Sequence, residues 1–492
     1  MKDVGDAHRL TCPYLPPAHG TDNAVPRDID SAGPRRPNGR TMMRAYHVRL
    51  GTALAAWFAI GCEQSPTVID AGPADFAVAP VESERHVVVL RDGVEPSAIA
   101  RSVRAQPLFV YRVALNGFSA PLTDAMRRRL ERLPIVRWIE PVRTFELFTP
   151  RQAPLRAGLG HGADGVLAGV PSLPGVPGLP GRPAGSRFEC SPGPGDPTTH
   201  DDLTELWGIR RVNAPLSATW TNEPVAADIA ILDTGADLDH PDLCVHRAVS
   251  FAPLEPTAED LNGHGTHVSG TAAARDDNGL VVGVAPESRL WEVKVCSVVG
   301  VCFNDAIIAG IDWVAQRADT IFVANMSVGG PGSDQAHAPN ECEAIVGDAM
   351  HAAICRAVRA GVTFVVAAGN DGADASNTVP AAYDEVITVA AMDSLDRAAS
   401  FSNFGADIDL IAPGVSILSD FLFGTTVRLS GTSMASPHVA GGAALYIAQQ
   451  LNAGNPRPSP FAVRDALVAA GQPWRGQGGG SHPEPLLDVR SF

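Results

Sequence analysis

The second half of the chain alternates between two kinds of hydrophobic pattern. Short, nearly continuous apolar runs, typical of buried strands, are "ADIAILDTG", "RLWEVKVC", "TIFVANMSVGG", "VTFVVAAGN" and "DEVITVAAM". Longer segments such as "FNDAIIAGIDWVAQRA", with apolar residues at helical spacing, lie between them. Apolar strands that alternate with helices indicate a mostly parallel sheet with helices on both faces. We therefore predict one large α/β domain over residues 201–492.

A smaller pattern occupies residues 84–148. The segments "HVVVL", "LFVYRVA", "FSAPL" and "IVRWIEPV" are rich in β-branched and aromatic residues, and two helix-like segments separate them. The second helix-like segment, "TDAMRRRLERL", begins at Thr123, a residue type that caps helix N-termini well. The resulting order, strand–helix–strand–strand–helix–strand, predicts a ferredoxin-like α+β domain ahead of the large one.

The flanking segments differ in composition. Residues 1–41 are polar and proline-rich, and we interpret them as an extension or a misassigned start. Residues 42–62 have a basic start and an apolar run too short to span a bilayer, which is the pattern of a signal peptide. The stretch "AIGC" resembles a bacterial lipobox and makes Cys62 a candidate for lipid attachment. We therefore expect an exported protein, either secreted or lipid-anchored at the bacterial cell envelope.

Residues 149–200 are dense in proline and glycine but lack the strict glycine register of collagen. This composition predicts a partly extended linker between the two domains. The formal net charge of the whole chain is −16, so it carries no basic field for nucleic acid.

The chain has eight cysteines and no CxxC pair, which argues against a zinc site built on cysteine. In an exported domain, the six cysteines after residue 185 fit three disulfides. The short spacings favour Cys296–Cys302 and Cys342–Cys355, which leaves Cys190–Cys244. Six buried free thiols are the alternative, because pairing cannot be read from sequence alone.

Candidate chemistry begins at Ser433 in "SGTSMASPHVAGG", just before a long helix-like run. A serine at this position is either a helix cap or a nucleophile. A serine nucleophile needs a histidine base, a carboxylate that orients the base, and donors for the oxyanion. Asp233 and Asn370 end predicted strands, and His264 opens a predicted helix, so these residues fill the remaining roles. The chain order Asp, His, Ser is one of the known orders of such a triad.

Residues 204–475 resemble the subtilisin-like serine proteases, or subtilases. The resemblance rests on "ILDTGADLDHPDL", "NGHGTHVSGTAAA", "NMSVGG", "VVAAGN" and "GTSMASPHVAGG", which occur in family order. It implies that Asp233, His264 and Ser433 form the triad and that Asn370 serves the oxyanion. It also implies a backbone edge for extended substrates at Ser327, Val328 and Gly329, and a primary specificity pocket lined by Ala367, Ala368 and Gly369.

The 84–148 unit resembles the subtilase propeptide, which in the family assists folding and inhibits the enzyme until it is cleaved. The Pro/Gly-rich segment departs from the family pattern, so the maturation site is expected anywhere from Phe148 to about His200. Two neighbouring histidines, His267 and His438, are expected to be structural. Pro437 removes the N–H group that would bond the carbonyl of Ser433.

The stretch "AARDDNGLVVGVAP" matches a calcium-binding loop of the family. The resemblance implies oxygen ligands from Asp242, Asp277 and the carbonyls of Arg275, Gly279 and Val281. No cofactor is expected for catalysis itself. The partners expected are peptide or protein substrates and the chain's own propeptide, with the enzyme a monomer.

The leading hypothesis is an exported serine endopeptidase that prefers apolar or uncharged residues before the scissile bond. Two alternatives stand beside it. One is a processing protease of narrow specificity, and the other is a non-catalytic binding protein with the same fold, which would require the loss of a triad member.

Overall fold

The computed structural model describes residues 84–148, 206–217, 227–276, 281–286, 288–335, 337–338, 341–474 and 482–492. The predicted extension, the signal peptide with Cys62 and the Pro/Gly-rich linker lie outside the described residues. Within the described part of the chain, no helix is long and apolar enough to cross a membrane.

The small N-terminal domain has the predicted strand and helix order. Its elements are β1 (Glu84–Leu90), α1 (Pro96–Ser102), β2 (Phe109–Tyr111), β3 (Gly117–Leu122), α2 (Asp124–Glu131) and β4 (Val136–Pro141). The strands pair in the antiparallel order β2–β3–β1–β4, which is the strand order of the ferredoxin-like arrangement. Thr123 caps α2 as predicted, because its side chain accepts a hydrogen bond from the backbone N–H of Met126.

A parallel sheet of seven strands forms the centre of the large domain. Its strands are β6 (Asp228–Asp233), β7 (Val245–Ser250), β8 (Leu290–Lys294), β10 (Ile321–Met326), β12 (Thr363–Ala367), β14 (Ile387–Met392) and β15 (Leu410–Pro413). They lie in the order β15–β14–β12–β10–β6–β8–β7, and every neighbouring pair is parallel. All residues of β6 are buried, which explains why the central strands read as continuous apolar runs.

Helices cover both faces of this sheet, as predicted. They are α3 (Trp207–Arg211), α4 (His264–Ala273), α5 (Asn304–Ala315), α6 (Ala349–Arg359), α7 (Thr432–Asn452) and α8 (Pro460–Ala470), and short 3₁₀ turns cover Ala214–Leu216 and Ala375–Asn377. Successive residues of β6 pack into hydrophobic cores on opposite faces of the sheet. Leu232 packs in the core with α5 and α6, whereas Ile231 packs in the core with α4, α7 and α8.

A second antiparallel sheet joins the two domains. It consists of β13 (Thr378–Val379), β11 (Val328–Pro331), β5 (Thr144–Leu147) and β9 (Val301–Phe303), in that order. The strand β5 follows the small domain directly and was not predicted as a strand. A hairpin of β16 (Ile417–Phe421) and β17 (Thr425–Leu429) completes the strands of the described residues.

The two short-range disulfides are present as predicted, between Cys296 and Cys302 and between Cys342 and Cys355. Cys244 is also disulfide-bonded, and Cys190, its predicted partner, lies outside the described residues. The alternative of six free thiols is therefore wrong.

Candidate active site

Asp233 and His264 meet at the carboxyl edge of the parallel sheet. Asp233 ends β6 and is fully buried, and His264 is the first residue of α4. Nδ1 of His264 lies 2.8 Å from Oδ1 of Asp233, which also accepts the backbone N–H of Thr234 at 2.7 Å. A carboxylate can only accept, so Nδ1 carries the proton and Nε2 is left free to act as a base.

Burial alone would lower the pKa of His264. The charge of Asp233, its hydrogen bond to the ring and the charge of Asp260 outweigh this effect and hold the pKa above its usual value. By contrast, burial lowers the pKa of His267 to about 3 and that of His438 to about 4. Both rings lie against backbone carbonyls, of Ile417 and Met434 respectively, so they are neutral packed side chains.

Ser433 is the second residue of α7, and the helix N-cap is Gly431, with no side-chain cap. The interpretation of Ser433 as a cap is therefore wrong. Pro437 has no N–H to give to the carbonyl of Ser433, and the Ser327 hydroxyl donates to that carbonyl instead at 3.2 Å. The first turn of α7 is thus tied to the residue that precedes β11.

Asn370 follows β12 and is oriented by Thr432. Its Oδ1 accepts both the backbone N–H and the hydroxyl of Thr432, each at 2.9 Å. The backbone N–H of Gly369 in turn donates to Oγ1 of Thr432 at 3.1 Å. With its oxygen engaged in this way, Asn370 presents Nδ2 as a hydrogen-bond donor toward the start of α7.

The carbonyl oxygen of Phe148 lies in the space between these donors. Nδ2 of Asn370 donates to it at 2.5 Å, and Oγ of Ser433 lies 3.5 Å from it. A Cβ atom added to Gly431 would lie 3.1 Å from Nδ2 of Asn370 and 3.4 Å from the Phe148 oxygen, so glycine keeps this space open. The arrangement is that of an oxyanion site with a carbonyl already in it.

Nε2 of His264 is buried and, among the described residues, has no hydrogen-bond partner. Oγ of Ser433 lies 3.4 Å from the carbonyl of Ser327. The two side chains therefore make no direct hydrogen bond with each other. Hydrogen bonds of this kind commonly form only when the reacting group is in place.

The residues before Phe148 lie in the site as an extended strand. Leu147 pairs with Val328 and Glu146 with Gly329 on one side, and Phe145 pairs with Cys302 on the other. A Cβ on Gly329 would overlap the Phe148 ring, so the absence of a side chain there makes room for the aromatic group. The predicted backbone edge at 327–329 therefore carries an extended peptide.

Of the predicted pocket residues, Ala367 ends β12, and Ala368 and Gly369 follow it and lead into Asn370. The two alanines are fully buried, and Gly369 has a φ of +109°, which a residue with a Cβ rarely adopts. Gly369 lies next to Thr432 through the hydrogen bond described above. The segment thus adjoins the start of α7, where Ser433 lies.

The predicted calcium ligands are only partly described, because Asp277 and Gly279 lie outside the described residues. The carboxylate of Asp242 is buried and accepts the backbone N–H of Val281 at 3.1 Å. The backbone N–H of Arg275 donates to the carbonyl of Asp242 at 2.9 Å. Three of the predicted ligand residues are therefore adjacent in the fold.

Sequence reasoning missed several residues that shape this site. Thr432 and Gly431 stand inside the quoted motif, yet only the three-dimensional arrangement relates them to Asn370. Asp260 is a further case, since Oδ1 accepts the backbone N–H of Gly263 and Oδ2 that of Thr266, which fixes the start of α4. An acidic residue just before a helix is a signal that could have identified Asp260.

Comparisons with known proteins agree with this geometry. Residues 226–478 match the model of the subtilase family. Subtilisin DY of Bacillus licheniformis is 43% identical over 249 residues, which are 50% of this chain and 85% of that protein. Subtilisin Savinase of Lederbergia lenta is 41% identical over 239 residues, 49% of this chain and 82% of that protein. Subtilisin of Bacillus pumilus is 39% identical over 268 residues, 53% of this chain and 89% of that protein. The chain is a serine endopeptidase that belongs to the subtilase family.

Proposed function

We propose that the chain is the zymogen of an exported serine endopeptidase, in which Ser433 is the nucleophile, His264 the base and Asp233 the orienting carboxylate. The observation that carries the proposal is the position of the Phe148 carbonyl oxygen, 2.5 Å from Nδ2 of Asn370 and 3.5 Å from Oγ of Ser433. A carbonyl so placed is poised between a nucleophile and an oxyanion donor.

The chemistry follows from these positions. Oγ of Ser433 attacks the carbonyl carbon while Nε2 of His264 takes its proton, and Asp233 stabilises the imidazolium that forms. Nδ2 of Asn370 and the backbone N–H of Ser433 stabilise the oxyanion. The leaving amine takes the proton from His264, and the acyl group stays on Ser433. Water then attacks the acyl-enzyme with the same proton relay.

The small domain is proposed to be the inhibitory propeptide. Support comes from its contacts with the amino ends and sides of α5 and α6. The carboxylate of Asp312 on α5 accepts the backbone N–H groups of Val113 at 2.7 Å and Ala114 at 2.8 Å. Glu140 on β4 accepts the backbone N–H of Ala349 at 3.0 Å, at the first residue of α6. Such contacts hold the small domain against α5 and α6.

Because β5 lies in the site like a substrate strand and Phe148 follows it directly, we propose that maturation cleaves the bond after Phe148. The sequence allowed a maturation site anywhere from Phe148 to about His200, and this proposal places the site at the start of that range. After cleavage, β5 and Phe148 would remain bound as a product and would block the active site until the propeptide dissociates. Placement of the Phe148 ring over Gly329 supports a preference for aromatic or other large apolar residues before the scissile bond.

Export, followed by release or anchoring at Cys62, stays part of the proposal and rests on the sequence of residues 42–62. A structural calcium held by Asp242 and the loop from Arg275 to Val281 also stays a proposal. Calcium would stabilise that loop and take no part in the chemistry. Removal of calcium by a chelator should lower the melting temperature, and an unchanged melting temperature would contradict the calcium site.

An activity-based probe tests the proposed nucleophile. A fluorophosphonate should label the processed wild-type enzyme and leave Ser433→Ala unlabelled. Ser436→Ala is a matched control, since Ser436 lies on the same helix but its hydroxyl donates to Oδ1 of Asn325 at 2.6 Å and, among the described hydrogen bonds, does not contact Phe148 or Asn370. Failure to label processed wild type, or labelling of Ser433→Ala, would contradict the proposal.

A further inference from the structure

Two histidines and two carboxylates are linked by side-chain contacts in a region that the proposed chemistry does not use. Asp334 and His337 follow β11, His351 lies in the first turns of α6, and Glu385 precedes β14. Nε2 of His337 lies 2.6 Å from Oε1 of Glu385, and Nε2 of His351 lies 3.0 Å from its Oε2. Oδ1 of Asp334 lies 3.4 Å from Nε2 of His351. The four residues come from three separate segments of the chain.

This cluster is shielded from solvent. The side chain of His351 is 0% exposed, those of His337 and Glu385 are 3% exposed, and that of Asp334 is 20% exposed. Oδ1 of Asp334 is itself buried and has no hydrogen-bond partner among the described residues. Buried carboxylates need a compensating positive charge, because the cost of desolvating them is large.

The position of the proton on His337 is a second reason why this cluster needs a positive charge. Its Nδ1 lies 2.8 Å from the carbonyl oxygen of Gln335, which can only accept, so Nδ1 carries a proton. In a neutral ring, Nε2 then presents a lone pair to a carboxylate oxygen of Glu385. Two acceptors at this distance repel each other unless a cation, either a proton or a metal ion, lies between them.

The set of donors suits a metal ion of the zinc class. Imidazole nitrogen and carboxylate oxygen are ligands of zinc, whereas calcium and magnesium prefer oxygen alone. In a tetrahedron with metal–ligand distances of about 2.0–2.2 Å, neighbouring ligand atoms are about 3.3–3.6 Å apart. The contacts of His351 with Oδ1 of Asp334 and Oε2 of Glu385 are close to this spacing. His337 contacts the other oxygen of Glu385, Oε1, and this contact would open by about 1 Å as Glu385 turns toward a shared ion. The carbonyl of Gln335 behind His337 is the outer partner that metal-binding histidines usually have.

The ring of His351 is also fixed in orientation. It stacks on Tyr383 with ring centroids 4.0 Å apart and an interplanar angle of 3°. The hydroxyl of Tyr383 donates to Oδ2 of Asp348 at 2.9 Å. Cys355 lies nearby, with Sγ 4.0 Å from Nε2 of His337, but its sulfur is bonded to Cys342 and is not available as a thiolate ligand.

We propose that Asp334, His337, His351 and Glu385 form a structural site for a zinc-class divalent cation. With four protein ligands the site is closed and has no open position for catalysis. The ion would tie the segment after β11, the strand that carries the extended peptide, to α6 and to the turn before β14. Its expected effect is therefore on stability and on the rigidity of the peptide-binding edge.

The test uses the full chain carrying Ser433→Ala, which should not process itself. The protein is stripped with a chelator, saturated with calcium and then titrated with ZnCl₂ against a competing fluorescent chelator. We expect one zinc per chain, and at least about tenfold weaker binding in His337→Ala and in His351→Ala. His482→Ala is the matched control, because it removes another buried imidazole, paired with Glu484 at 2.6 Å, and should leave zinc binding unchanged.

Cobalt substitution in the unmutated site keeps the proposal testable if the histidine variants fail to fold. Co²⁺ should give the intense visible bands of tetrahedral coordination, and zinc should displace it. Binding of less than one zinc per chain overturns the proposal. This is the result expected if the cluster is held together only by ion pairs between the carboxylates and protonated histidines. The proposal is also overturned by displacement of zinc by calcium, by an octahedral cobalt spectrum, and by folded histidine variants that bind zinc as tightly as the parent.

Discussion

The hydroxyl of Thr432 donates to Oδ1 of Asn370 at 2.9 Å, and the neighbouring backbone N–H of Thr432 donates to the same oxygen. These two bonds decide which end of the Asn370 amide faces the Phe148 carbonyl. Thr432 touches no reacting atom in the proposed chemistry and is a positioning residue. The nucleophile and the oxyanion donor are thus connected through the residue between Gly431 and Ser433.

Replacement of Thr432 by valine keeps the shape of the side chain and removes the hydroxyl. We expect kcat to fall about tenfold with little change in KM, because the orientation of Asn370 matters most when the oxyanion forms. Asn370→Ala should lower kcat by about 10²–10³, and in that background Thr432→Val should cost little more. Steady-state kinetics on a peptide substrate measure both effects.

Thr320→Val is the control for this substitution. Thr320 lies at the amino end of β10, opposite to the site, and its hydroxyl contacts only Asp319 among the hydrogen bonds of the described residues. Its kinetics should match those of the wild type. Additive losses in Thr432→Val and Asn370→Ala would show that the two residues act separately.

The hydrogen bond from Ser327 to the carbonyl of Ser433 should depend on Pro437. Ser327→Ala removes the hydroxyl that donates to the Ser433 carbonyl and accepts from Nδ2 of Asn325. We expect this variant to lower the free energy of unfolding by about 1–3 kcal/mol. Pro437→Ala restores an N–H group four residues along the helix. We therefore expect Ser327→Ala to cost less in the Pro437→Ala background.

Denaturant unfolding of the two single variants and the double variant, all in a Ser433→Ala chain, measures this coupling as a double-mutant cycle. A coupling energy of zero would mean that Ser327 and Pro437 act independently on the start of α7.

The contact of Glu140 with the large domain should make propeptide binding depend on pH. Burial, and then the charge of Asp348, raise the pKa of Glu140 to about 7 in the complex. Once the domains separate, this carboxyl returns toward its ordinary pKa of about 4.3. The complex then holds one more proton than its separated parts between these two values. Association should strengthen as pH falls through 7 and weaken as pH rises through 7.

Between pH 5 and pH 8 this effect should change the dissociation constant by about tenfold to a hundredfold. The fraction of propeptide that co-elutes with the processed enzyme on gel filtration measures it. Glu140→Gln should remove most of the dependence, whereas Glu131→Gln, on the exposed side of α2 where Glu131 pairs with Arg127, should retain it. Equal pH profiles for Glu140→Gln and wild type would rule out this carboxyl as the source.

The sequence alone predicted the features that depend on residues close together in the chain. Continuous apolar runs identified the parallel strands, because strands covered on both faces have no polar side. The positions of Asp233, His264 and Asn370 followed from the rule that strand ends and helix starts meet at one edge of such a sheet. Cys296–Cys302 and Cys342–Cys355 followed from short spacing.

Features formed by segments far apart in the chain could not be predicted from local sequence patterns. The residues Thr144–Leu147 alternate polar and apolar side chains over only four positions, and they form β5 by pairing with β11 on one side and β9 on the other. The cluster at His351 was not predicted for the same reason, since its residues come from three segments of the chain. The capping interpretation of Ser433 failed because Gly431, with no side chain, begins the helix.

The most direct measurement is the C-terminal residue of the propeptide fragment released by self-processing. Tandem mass spectrometry of that fragment should find a chain that ends at Phe148, the residue whose carbonyl oxygen contacts Asn370. The fragment should be absent from Ser433→Ala preparations. A fragment that ends within residues 149–200, or one that forms in Ser433→Ala, would contradict the account.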